Sequence, residues 1–103
     1  MVSDAAAKRA EFSDLPGWEL VSRGLADAEM GRNTVAAMLV RSAADRLAAI
    51  GLVVPGEAVA DAHLQMYALL EAEVGEARAH SRYNALRRRL LSFLRAAPYA
   101  TGG

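Results

Sequence analysis

The chain has 103 residues, no cysteine, and twelve basic against twelve acidic side chains, so its formal net charge is zero. The absence of cysteine excludes disulfides, thiolate zinc sites and thiol catalysis; the charge balance removes any global attraction to nucleic acid or an anionic membrane and leaves only local patches. A chain of this length forms one domain burying about two-thirds of its unfolded surface, and its 23 alanines favour helix and close helix contact over bulky packing.

The N-terminal stretch MVSDAAAKRAEF has charges where a signal peptide needs an apolar run. Ser3 is placed to cap a helix over it, but few large apolar side chains are available to dock that helix, so it is expected to fray. Ser13-Asp14-Leu15-Pro16-Gly17 predicts a loop entering a helix, with Asp or Ser as cap and Pro in the first turn. Trp18, Val21, Leu25 and Ala28 then line one helical face. Gly31 is placed to end that helix, and Asn33 or Thr34 to cap the next.

From Thr34 to Ile50 the pattern is amphipathic, with Ala36, Leu39, Val40, Ala43, Leu47 and Ile50 on one side and Arg41 and Asp45 opposite. Gly51 occupies a left-handed C-cap position, and Leu52 supplies the accompanying apolar contact. Leu52-Val53-Val54-Pro55-Gly56 is an extended connector with no second strand to pair with. The longest uncharged run, Leu47 to Gly56, is ten residues, too short to span a bilayer.

Residues 56–97 carry two apolar sets. Val59, Met66, Tyr67, Leu70, Val74 and Ala77 form the first, and Tyr83, Leu86, Leu90, Phe93, Leu94 and Ala97 the second, on a different face. The stripe changes sides between Gly75 and His80, which predicts either a hairpin of two helices or one long helix whose halves meet different partners. The charges divide at the same place: Glu57, Asp61, Glu71, Glu73 and Glu76 precede Arg78, Arg82, Arg87, Arg88, Arg89 and Arg95. A hairpin, or antiparallel pairing of two copies, lays the acidic half beside the basic half. The same order also suits the macrodipole of a single helix.

The fold expected is all-α, a small bundle of three to four helices in a single domain over 1–103, with 1–13 and 98–103 frayed or disordered. No chemical motif emerges. His63 and His80 lack metal-ligand spacing, and Glu76 and His80, at i and i+4, suit a surface pair. Glu73 and Glu76 make half of a carboxylate magnesium site without its other half. Ser81 beside His80 points elsewhere on a helix, so the two make no nucleophile and base. No catalytic residue, metal ligand, cofactor or small-molecule substrate is expected, nor any contact with a membrane.

The function expected is non-enzymatic and cytoplasmic: helix-mediated self-association, as a homodimer, through Tyr83, Leu86, Leu90 and Phe93. The alternative is regulatory nucleic-acid binding, either through Arg78, Arg82, Arg88 and Arg89 or through a helix-turn-helix over residues 18–50, whose second helix offers few side chains for reading bases.

Overall fold

A computed structural model of the chain describes residues 9–56 and 59–101. Among them are five helices and no strand: α1 Trp18–Glu29, α2 Val35–Ser42, α3 Ala44–Ala49, α4 Ala62–Val74 and α5 Glu76–Thr101. The protein is all-α. The helices outnumber the expected three to four by one because the stretch predicted as a single helix over 34–50 is broken.

Helix α1 starts one step later than its sequence suggests. Gly17, at φ 81°, is the N-cap residue, leaving Pro16 outside the helix, and the Ser13 hydroxyl donates to the Ala10 carbonyl (3.0 Å) instead of capping α1. At the other end, the N–H groups of Gly31 and Arg32 donate to the carbonyls of Ala28 and Asp27 (3.1 and 2.8 Å). That is the double closure of a left-handed glycine cap, as Gly31 predicts. The same closure ends α3: Gly51 donates to Ala48 (3.0 Å) and Leu52 to Leu47 (2.9 Å), while both leucines are buried.

Thr34 begins α2. Its Oγ1 accepts from the Ala37 N–H (3.2 Å) and donates to Asp27 Oδ2 (2.7 Å), which ties the last turn of α1 to the first of α2. The helix predicted over 34–50 then breaks at Ala43, with φ −117° and ψ 22°. Just before the break the Ser42 hydroxyl donates to the Leu39 carbonyl at 2.6 Å, a back-bond that bends helices. The apolar face survives the break, since Leu39, Val40, Ala43 and Leu47 all remain buried. Arg41, expected opposite that face, is half-buried with Gly56 against its guanidinium.

The five consecutive residues Ala36 to Val40 are all buried, so α2 has no solvent face there and forms the centre of the bundle. Helix α1 covers one side and α4 another. The approach of α1 is close at Gly24, where an added Cβ would overlap the Ala36 carbonyl oxygen and lie 2.6 Å from Val40 Cγ1. From α4, Met66 and Leu70 enter the core.

Helix α4 turns back into α5 at Gly75, with φ 86° and ψ 158°, a conformation nearly confined to glycine. Residues 56–97 therefore contain a hairpin. Tyr67 of α4 meets Tyr83 of α5 with ring centroids 5.3 Å apart, and Ala79 is buried. The C-terminal half of α5 buries Leu90, Phe93, Leu94 and Ala97. Phe93 there joins Phe12 and Trp18 in a three-ring cluster with centroids 5.6 to 6.2 Å apart.

Phe12 is fully buried, although it ends the segment expected to fray; residues 1–8 of that segment lie outside the described residues. Helix α5 continues through Pro98 to Thr101 and takes in most of the tail expected to be disordered; Gly102 and Gly103 lie outside the described residues. Among the described residues no helix is long and apolar enough to cross a membrane.

Candidate nucleic-acid interface

The site is built on α5, where no acid follows Glu76 in the sequence and six arginines do. At 3.6 residues per turn, Arg78, Arg82 and Arg89 fall within about 40° of one another. Arg88 and Arg95 lie within about 20° of each other on a second side, and Arg87 occupies a third. The buried side chains Ala79, Leu90, Phe93, Leu94 and Ala97 fill the arc between the first row and Arg87. On the rest of the circumference Ser81 and Ser92 are exposed while Asn84, Ala85, Leu91 and Ala96 are half-buried, and all six arginines are exposed.

The hairpin places acidic α4 beside basic α5, yet no ion pair joins them among the described residues. Ion pairs elsewhere include Arg9–Glu29 (3.8 Å) and Arg32–Asp27 (4.0 Å). Glu57, the first acid of the acidic half, lies outside the described residues. Arg82 shares a groove with Arg23, Asp27 and Glu73, so two acids offset two bases there. Arg78 stands nearer the hairpin tip, in a shallow groove with Val74, Ala77, Ser81 and Ala85. Arg87 donates from Nη1 to the Tyr83 hydroxyl (3.2 Å), and its guanidinium carbon lies 5.7 Å from the Tyr83 ring centre.

The residues expected to mediate self-association are placed differently. Leu90 and Phe93 belong to the core of the single chain, at 5% and 0% exposure, so neither is available to a partner. Tyr83 and Leu86 are half-buried against the same core. Phe93 of the second apolar stripe meets Phe12 within the chain, which the sequence does not reveal because Phe12 stands isolated among polar and small residues.

The second helix of the helix-turn-helix expected over 18–50 is divided into α2 and α3; α2 is buried from Ala36 to Val40 between α1 and α4, while Asp45 and Arg46 of α3 are exposed. Glu73 and Glu76 lie in different helices on either side of Gly75, and among the described residues no three His, Asp or Glu side chains cluster as metal ligands. His80 pairs with Asn84 (Nε2 to Nδ2, 3.2 Å) rather than with Glu76, and its ring lies 6.5 Å from Tyr67. This small cluster of Tyr67, His80, Tyr83, Asn84 and Arg87 is absent from the sequence reading. Its signal was the spacing 80, 83, 84, 87 along one side of α5, masked by the stronger apolar stripe next to it.

Comparison of the chain with known protein families, with curated proteins and with solved structures finds no match.

Proposed function

We propose that this chain binds nucleic acid, without catalysing a reaction, through the arginines on the water-facing arc of α5. The observation that supports this is the set of exposed guanidinium groups on two neighbouring sides of α5, Arg78 and Arg89 on one and Arg88 and Arg95 on the other, none of them ion-paired among the described residues. Arg82 flanks them with its charge partly offset by Asp27 and Glu73. A helix of 26 residues extends about 39 Å, long enough to follow several phosphates along a backbone. Arginine suits that role because its planar fork meets phosphate oxygens two at a time. The recognition is of backbone charge, since the arc offers few other side chains for base edges. A reducing cytoplasm fits a cysteine-free chain with this role.

The test is a titration of labelled duplex and single-stranded oligonucleotides at two salt concentrations, for the wild type and for the triple change Arg78→Glu, Arg88→Glu and Arg89→Glu. Arg82 is kept, because a third carboxylate beside Asp27 and Glu73 would strain the fold. Wild-type affinity should fall as salt rises, with a log-log slope of about −0.9 per phosphate contacted on duplex. The triple change should flatten that slope by about 3 while circular dichroism stays helical. Absence of wild-type binding at low salt, or an unchanged slope in the triple variant, rejects the proposal.

Self-association is a second reading, favoured by one observation. Leu64 on α4 is 59% exposed, and Ala68 and Ala72 follow it at four-residue steps, also exposed. These three apolar side chains stand exposed on the outer face of α4 beside Glu71 and Gln65, where a water-facing helix is usually polar throughout. Two copies meeting there would form a symmetric homodimer, and Leu64→Glu should shift light scattering on a sizing column from dimer to monomer.

A further inference from the structure

A second cationic feature lies away from the row of Arg78 and Arg89. Helices α3, α4 and α5 converge on a groove of about 240 Å³ to which each supplies one basic side chain: Arg46, His63 and Arg87. Its apolar lining includes Leu90 and Leu91, and among the described residues no carboxylate lines it. Ser42 is on its wall, with a hydroxyl that already donates to the Leu39 carbonyl (2.6 Å). The donors available to a ligand are therefore the two guanidinium groups and the imidazole.

Arg87 is held in place by the Tyr83 hydroxyl (3.2 Å) and ring, so part of the entropy of fixing a long side chain is already spent in the free protein. Neither Arg46 nor Arg87 has an ion-pair partner among the described residues. The nearest acid in sequence, Asp45, lines an adjoining groove that Arg41 and Arg46 also border, and it makes no ion pair with Arg46 among the described residues. Two like charges converging on an apolar floor, neither ion-paired among the described residues, repel each other, and an anion between them relieves that repulsion.

We propose that this groove binds a phosphate group, held by forked hydrogen bonds from Arg46 and Arg87 and by an N–H of His63. Its volume falls below the range of about 300–1,000 Å³ of pockets that enclose a drug-sized ligand, so it takes the phosphate and little of what carries it. The carrier is either a small phosphomonoester or the 5′-phosphate at the end of a nucleic-acid strand. The second source rests on the nucleic-acid reading above, and the first does not.

The experiment uses the full chain labelled with ¹⁵N, titrated at low salt with a nucleoside 5′-monophosphate and with a short single strand carrying or lacking a 5′-phosphate. Amide shifts should concentrate in residues 42–47, 62–64 and 86–91. Arg46→Gln, at an exposed position, should weaken binding about tenfold or more with the fold retained, and His63→Gln should weaken it less. Arg87→Lys keeps the charge but loses the fork, and should fall between wild type and Arg46→Gln. Saturation by the monophosphate identifies the small-molecule source. A response only to the 5′-phosphorylated strand identifies the strand end. The triple change at Arg78, Arg88 and Arg89 should leave the monophosphate titration unaltered, so that failure of the outer arc and failure of the groove are read separately. No shift with any of the three probes, or shifts that persist equally in Arg46→Gln, overturns the proposal.

Discussion

Gly24 and Gly31 show two different reasons why one residue type is required. Gly24 lies inside α1 with an ordinary helical φ, and what it lacks is room, because a methyl there would meet the Ala36 carbonyl of α2. Gly31 has all the room it needs, with nothing within 4 Å of an added Cβ, but its φ of 72° belongs to the left-handed region. Substituting alanine at Gly24 gains about 1 kcal/mol of helix propensity. It loses more, since the obstacle is backbone in the central helix rather than the tip of a side chain. We expect Gly24→Ala to cost about 1–3 kcal/mol net, and Gly31→Ala about 1 kcal/mol from backbone strain alone. Urea unfolding should show both midpoints lowered, Gly24→Ala the more, with unchanged slopes. Were Gly24→Ala neutral or stabilising, α1 and α2 could not cross as closely as this.

At the scale of elements, the joint between α1 and α2 depends on the Thr34 hydroxyl, which accepts from Ala37 and donates to Asp27. Thr34→Ala removes the cap, worth about 0.5–2 kcal/mol, and leaves the half-buried Asp27 with one partner fewer. Thr34→Ser keeps both bonds. A thermal melt should place the alanine variant roughly 4–8 °C lower for each kcal/mol, with the serine variant near wild type. This cap was legible in the sequence, as were the glycine stops at Gly31 and Gly51, because each is a local device whose partners lie within a few residues. The break at Ala43 was not legible: alanine favours helix, and the bend involves the rotamer that Ser42 adopts against the Leu39 carbonyl. The burial of Phe12 was equally hidden, since its partners Trp18 and Phe93 come together only when α5 folds across α1. For the candidate sites the division is the same. The arginine run along α5 is one-dimensional information. The meeting of Arg46, His63 and Arg87 needs three helices in place, and no spacing encodes it.

For the molecule as a whole, the decisive choice lies at Gly75, where the sequence allows both a hairpin and one continuous helix. The hairpin places Met66 and Leu70 on α2 and closes the core within one chain. A single helix over 62–101 would be about 60 Å long, against a longest extent of 43 Å for the described residues. It would also strip Met66, Leu70 and Ala79 of their cover. Gly75 has φ 86° and ψ 158°, with nothing within 4 Å of an added Cβ, so an alanine there meets no clash and carries only backbone strain, about 1–3 kcal/mol. That strain is relieved when residues 74–76 continue as helix, since Val74 and Glu76 on either side are helical already. The apolar surface exposed by straightening can then be covered only by the corresponding half-hairpin of a second copy, the route by which hinge mutants exchange domains. We therefore expect Gly75→Ala to be less stable as a monomer and to accumulate an elongated dimer as concentration rises. Light scattering on a sizing column should give a greater mass than wild type at equal loading, and small-angle X-ray scattering a longer maximum dimension. A variant that matches wild type in mass, dimension and urea midpoint would show that the left-handed turn is not what keeps α4 folded back on α5.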